Sequence, residues 1–165
     1  MKREWSEGQL QIISAIGCNI IPSVMASMVW QDFGWKYFLT RPPFEPPAWI
    51  FGPVWFVLYS LMGIVLGTIL KRGSTLALTL FTIQFIINAT WMPLFIIMRD
   101  IGWSLVQEWI LVLFIAMTMF CLYNDRLNCN ITRIGAISAW KLFIPYILWA
   151  SFAVLLTSTL YLLNP

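Results

Sequence analysis

Residues 35–59 read WKYFLTRPPFEPPAWIFGPVWFVLY. The first half of this stretch resists helix formation, because Pro42, Pro43, Pro46 and Pro47 lack a backbone N–H and each restricts the residue before it. A stiff, extended loop follows from that spacing. The second half changes character at once. From Trp49 to Leu70 no charged residue occurs, a run as long as a hydrocarbon core of about 30 Å demands of a helix. A rigid loop carrying Phe44 and Trp49 and feeding directly into a membrane span has the makings of a lid.

Outward from this stretch, uncharged apolar runs recur at about 10–30, 76–98 and 142–163. A fifth, 103–123, is as apolar but contains Glu108, whose shallow position, about 7.5 Å along the helix axis, predicts snorkelling to the headgroups. The sequence therefore predicts an all-α integral membrane protein. It is a five-transmembrane-helix bundle in one domain, 1–165, with a proline-rich lid loop at 31–48 between helices 1 and 2. Composition agrees: 60% of the residues are hydrophobic, 10% are charged, and mean hydropathy is +0.80, values that a soluble fold does not reach.

Histidine is absent, which excludes imidazole metal sites, serine or cysteine nucleophile systems that need an imidazole base, and histidine-ligated haem. Cys18, Cys121 and Cys129 form no CxxC pair and lie in or beside apolar runs, so they read as packing residues, with neither a metal site nor a disulfide framework expected. The net charge of +3 is scattered, without the basic run of a nucleic-acid binder. The basic residues divide as Lys2, Arg3, Lys71, Arg72, Arg126, Arg133 and Lys141 against Lys36, Arg41 and Arg99, and this bias predicts the N-terminus inside.

Aromatic residues make up 16% of the chain, more than interfacial belts require. They fall in stripes. Trp55 and Tyr59 share a face of the second span; Asn88, Trp91 and Phe95 follow on the third; Tyr146, Trp149, Ala153 and Leu156 continue on the fifth. Such stripes either pack the bundle or line a ligand cavity. Prolines at 22, 53, 93 and 145 would bow four helices apart or simply be tolerated in lipid. Arg41 either meets an acidic group of a ligand or pairs with Glu45, and Asn88 is expected to bond a carbonyl freed by a proline kink. Gly63 and Gly67 form a GxxxG that permits close helix contact or a homodimer.

Together these residues resemble one family, the translocator proteins, also called tryptophan-rich sensory proteins or peripheral-type benzodiazepine receptors. The resemblance is carried by Trp35, Leu39, Arg41-Pro42, Pro46-Pro47, Trp49, Pro53-Val54-Trp55 and Tyr59, then by Asn88, Trp91, Pro93, Arg99 and Gly102-Trp103, and by Pro145-Tyr146, Trp149 and Phe152-Ala153. It implies a five-helix bundle, often dimeric, whose pocket binds porphyrins, isoquinoline carboxamides, benzodiazepines and, in animal members, cholesterol. By position the resemblance places Phe51, Trp91, Trp103, Ala153 and Leu156 in that pocket, and matches Trp55 and Trp149 to the tryptophans linked to porphyrin breakdown. With the stripes and the lid, the expected ligand-binding set is Arg41, Phe44, Pro47, Phe51, Tyr59, Asn88, Trp91, Phe95, Trp103, Tyr146, Ala153 and Leu156.

The chain departs from the family at Lys36, commonly tyrosine, at Phe44, often tryptophan, and at Ser158, where the cholesterol motif needs a tyrosine followed by a basic residue. The functional expectation is a receptor or sensor in contact with the lipid bilayer, taking protoporphyrin IX or a related tetrapyrrole as ligand, with no obligatory cofactor and no nucleic-acid partner. The alternatives are a light- and oxygen-dependent porphyrin-degrading enzyme with Trp55 and Trp149 as photochemical residues, and a small-molecule transporter. The expected location is a bacterial or archaeal cytoplasmic membrane, the alternative a mitochondrial outer membrane.

Overall fold

The computed structural model describes residues 5–124, 133–134 and 137–165. Five helices in it are long and apolar enough to cross a membrane. They are α1 Glu7–Met28, α2 Ala48–Arg72, α3 Thr75–Met98, α4 Ile101–Tyr123 and α5 Ile144–Leu163. Their starts are set by polar caps. Ser6 and Gln9 form a capping box at α1, the Ser74 hydroxyl accepts from the Ala77 N–H at α3, and the Asp100 carboxylate accepts from the Trp103 N–H at α4. Gly73, at φ 72°, ends α2 in the left-handed conformation that glycine adopts without strain, so the α2–α3 turn is short.

The helices form a ring in the order α1, α2, α5, α4, α3. The α1–α2, α1–α3, α3–α4 and α4–α5 sides close by direct helix packing. The α2–α5 side closes through aromatic rings, Phe51 against Trp149 and Trp55 against Tyr146. At the end away from the lid, a two-residue hairpin pairs β1 Arg133–Ile134 with β2 Ile137–Ser138. A short 3-10 turn, Ala139–Phe143, then leads into α5 and buries Phe143 against Phe81 and Tyr146. Neither feature carries a period that the sequence reading could detect. Lys2, Arg3, Arg126 and Cys129 lie outside the described residues.

Two glycines set the closest helix contact. A Cβ at Gly63 would fall on the backbone of Ala15, and one at Gly67 on that of Gln11. The GxxxG therefore serves the α1–α2 contact within the chain. Both glycines are buried there, so of the two uses the motif permits, the close helix contact is the one the fold shows. Beside them, Glu7 accepts from the Thr68 hydroxyl at 3.2 Å and from Gln11 Nε2 at 3.4 Å, with the Arg72 guanidinium 3.8 Å away. Pro22, Pro53 and Pro93 lie inside helices as expected. Pro145 does not: it occupies the first turn of α5, where a missing N–H costs nothing. Cys18 is buried and free, whereas Cys121 is disulfide-bonded, which corrects the expectation that the cysteines form no disulfide.

The lid has two parts. A 3-10 helix, Trp30–Phe38, crosses the ends of the bundle, and an extended segment then descends along α5. Thr40 donates its N–H to Asn164 Oδ1 at 2.8 Å, and Asn164 Nδ2 donates to the Thr40 carbonyl at 3.0 Å, so a side-chain amide completes a backbone pairing. Lower down, Phe44 lies edge-on against Phe152 at 6.4 Å. Pro47 then caps α2.

Candidate ligand site

Three aromatic groups converge around the α2–α5 seam and the lid. At the seam, Phe51 meets Trp149 at 5.7 Å, Trp149 meets Phe152 at 5.6 Å, and Phe152 meets Phe44 of the lid. Together with Pro53, Val54, Val57, Leu58, Pro145 and Leu148, Trp149 and Phe152 line an apolar groove of roughly 570 Å³. Ala153 and Leu156 are half-buried on the helix face that carries Trp149.

In the centre of the bundle, Trp55 stacks on Tyr59 at 5.1 Å with 23° between the planes, and meets Tyr146 edge-on at 6.4 Å. Both tyrosines are buried and hydrogen-bonded. The Tyr59 hydroxyl donates to Asn88 Oδ1 at 2.7 Å and the Tyr146 hydroxyl to Gln84 Oε1 at 2.9 Å. Asn88 thus finds a phenol, where a kinked backbone carbonyl was expected. Gln84 belongs with these residues though the sequence reading passed over it; its position four before Asn88, on one face of α3, was the available signal.

The third group lies under the lid. Trp91 stacks on Phe95 at 5.0 Å with 9° between planes, and Trp35 of the lid meets the same Phe95 ring at 5.1 Å, tilted by 47°. These side chains pack against Val29, Ile96, Ile101 and Leu160. Trp103 stands apart. It occupies the first turn of α4, is 53% exposed and belongs to none of the three groups.

The lid cations have a partner of their own. Lys36 Nζ lies 2.9 Å from Glu45 Oε1, Arg41 Nε lies 4.0 Å from Glu45 Oε2, and the Arg41 guanidinium sits 5.3 Å over the Tyr37 ring. The Arg41–Glu45 pairing foreseen from the i,i+4 spacing is thus present. Glu108 departs from expectation: it is 4% exposed and bonded to Thr157, turned into the bundle where snorkelling was expected. Among the described residues no group of three or more histidine, cysteine, aspartate or glutamate side chains could hold a metal ion.

Over residues 12–162, which take in the lid and the aromatic stripes, the chain matches the model of the TspO/MBR family. The chain belongs to the TspO/MBR family. The tryptophan-rich protein TspO of Chlorobaculum tepidum is 32% identical over 137 residues, covering 79% of this chain and 80% of that protein. The tryptophan-rich sensory protein of Cereibacter sphaeroides is 29% identical over 147 residues, with 87% and 83% covered. The translocator protein of Homo sapiens is 29% identical over 155 residues, with 87% and 86% covered. The family thus spans bacterial and mammalian relatives, and this member shares the apolar five-helix architecture of an integral membrane protein.

Proposed function

We propose that the protein is a membrane receptor or sensor that binds porphyrins and similarly flat hydrophobic ligands against the aromatic faces of α2, α5 and the lid. The observation that carries this reading is the run of rings Phe44, Phe152, Trp149 and Phe51, drawn from three elements, beside an apolar groove of roughly 570 Å³. Offset and edge-on rings offer a flat ligand dispersion contacts on both faces. A free-base porphyrin needs no axial ligand, which suits a chain without histidine. Lys36 and Arg41 would meet its propionates by exchanging partners with Glu45. The names of the relatives as sensors and translocators support the same class of role.

The second reading is light- and oxygen-dependent degradation of the bound porphyrin. It is favoured by Trp55, which touches the Tyr59 and Tyr146 rings, so that three oxidisable side chains stand together. In this reading the porphyrin, once excited, generates reactive oxygen, and the indoles of Trp55 and Trp149 supply electrons. We also propose a bacterial or archaeal cytoplasmic membrane, the N-terminus inside and the lid on the outer face, from the bias in basic residues. A second copy, if bound, would meet faces other than the buried glycines of α2.

Tryptophan-fluorescence titration of the detergent-purified protein with protoporphyrin IX tests both readings. Saturable binding in darkness supports the receptor; its absence at micromolar porphyrin sinks the tetrapyrrole assignment. Illumination that yields a protein-dependent product in wild type, lost in Trp55→Phe with Trp149→Phe, would establish the enzyme.

A further inference from the structure

Arg99 closes α3 at φ 53° and ψ 27°, the left-handed conformation that glycine adopts freely and that a side chain makes costly. Among the described residues no other non-glycine residue has a positive φ. Glycine would end the helix at lower cost, and the guanidinium is what arginine adds in exchange. That guanidinium is unpaired. Among the described side chains, Lys36, Arg41 and Arg72 have carboxylates beside them, Lys71 donates to the Trp5 carbonyl, and Lys141 lies over the Trp140 ring, whereas the Arg99 side chain makes no ion pair, hydrogen bond or ring contact.

The unpaired charge lies in a groove of roughly 350 Å³, lined by the α3–α4 connection from Met98 to Gly102 and by Tyr161 and Asn164 at the end of α5. Beside Arg99, Asp100 uses Oδ1 to accept from the Trp103 N–H at 2.9 Å and so caps α4 itself. Its Oδ2 accepts no hydrogen bond among the described residues, and the two neighbouring charges form no ion pair with each other. The Tyr161 ring stands over Gly102, where an added Cβ would lie 3.2 Å from it. Asn164 is engaged with Thr40 and the Leu160 carbonyl, so it shapes the groove without a free N–H. The groove sits where three spans end, α3 at Met98, α4 at Ile101 and α5 at Leu163. Such ends lie at the headgroup layer of a bilayer, and Trp103 and Tyr161, both exposed, are the ring types found at that depth. Met98, exposed in the wall, puts apolar surface beside the charges.

We propose that this groove binds the headgroup of a zwitterionic phospholipid, phosphatidylethanolamine, in the leaflet on the lid side. Arg99 meets the phosphate through two parallel hydrogen bonds, Asp100 Oδ2 accepts from the ammonium, and an acyl chain runs down past Met98. One positive and one negative group, adjacent in the chain and not paired with each other, complement a headgroup that carries the same two charges side by side. An anionic headgroup would satisfy Arg99 and leave Asp100 facing a like charge. The site is independent of the porphyrin reading, since it shares no lining residue with the apolar groove between α2 and α5.

The test measures first-lipid affinity by native mass spectrometry of the full chain in detergent, titrated with the dioleoyl forms of phosphatidylethanolamine, phosphatidylglycerol and diacylglycerol. The wild type should hold phosphatidylethanolamine about tenfold tighter than phosphatidylglycerol, the worth of one charge-assisted hydrogen bond, and tighter still than diacylglycerol. Asp100→Asn, which caps a helix as well as aspartate does, should close the gap between the two phospholipids. Arg99→Gly should bring both down to the diacylglycerol level while the melting temperature holds or rises, because glycine suits that backbone. Should Arg99→Gly fail to fold, Arg99→Gln decides: a loss of about tenfold for both phospholipids supports the proposal and unchanged affinity overturns it. Equal binding of the three lipids to wild type overturns it, as does a preference for phosphatidylglycerol or a phosphatidylethanolamine preference that survives in Asp100→Asn. Displacement of the lipid by soluble glycerophosphoethanolamine at matching concentration would assign the groove to a free phosphoester and overturn the lipid as its occupant.

Discussion

At the scale of single residues, the central polar pairs are the clearest determinants of geometry. Tyr59 and Asn88 tie α2 to α3, and Tyr146 and Gln84 tie α5 to α3, each through one hydrogen bond in the core. Tyr59→Phe should lower stability by about 0.5–1.5 kcal/mol, seen as a lower melting temperature in detergent, because Asn88 Oδ1 then loses its donor. Adding Asn88→Leu should recover part of the loss, and strict additivity of the two changes would refute the coupling. The sequence made Asn88 conspicuous as a polar group in an apolar run, but not its partner. Partner choice depends on how α2 is turned relative to α3, and helical periodicity carries no record of that. Glu108 was misjudged for a related reason: depth was read from chain position, whereas burial is decided by which face α4 turns to α5. Trp103 was carried over by resemblance, and in the first turn of α4 it is exposed.

At the scale of elements, the helices themselves were legible, because an uncharged run has one economical fate in a bilayer. Their ends were less so: α1 begins at Glu7, a charged residue that a hydropathy reading leaves outside, yet the Ser6 capping box and the Thr68 hydroxyl accommodate it. The GxxxG was visible, but its recipient was not, since close approach to a neighbouring helix and to a second copy demand the same small residues. Gly67→Leu should cost about 1–3 kcal/mol by forcing α1 away, whereas Gly52→Ala, with nothing within 4 Å of the new methyl, should leave the melting temperature unchanged. Equal effects of the two substitutions would contradict the tight α1–α2 contact.

At the scale of the whole molecule, the lid is held by few groups, and each can be released. Asn164→Ala removes both bonds to the Thr40 backbone. Hydrogen exchange at the Thr40 amide should then quicken by about tenfold, and a bound porphyrin should leave faster with little change at the far end. Unaltered exchange would mean that the pairing does not restrain the lid. The lid was legible as a rigid loop from its four prolines, but its course down α5 was not, because the bonds that fix it join residues 124 positions apart. The two ends of the bundle differ in how their polar groups are satisfied. Glu7, Gln11 and Thr68 bond one another at the far end, while among the described residues the indole N–H groups of Trp35 and Trp91 and one oxygen each of Glu45, Gln107 and Glu108 are buried without a hydrogen-bond partner in the lid half. The protein is in this sense a fixed base carrying an adaptable cup: the base can keep one shape across relatives that serve different molecules, while the cup is where a lineage can change its guest without rebuilding the vessel.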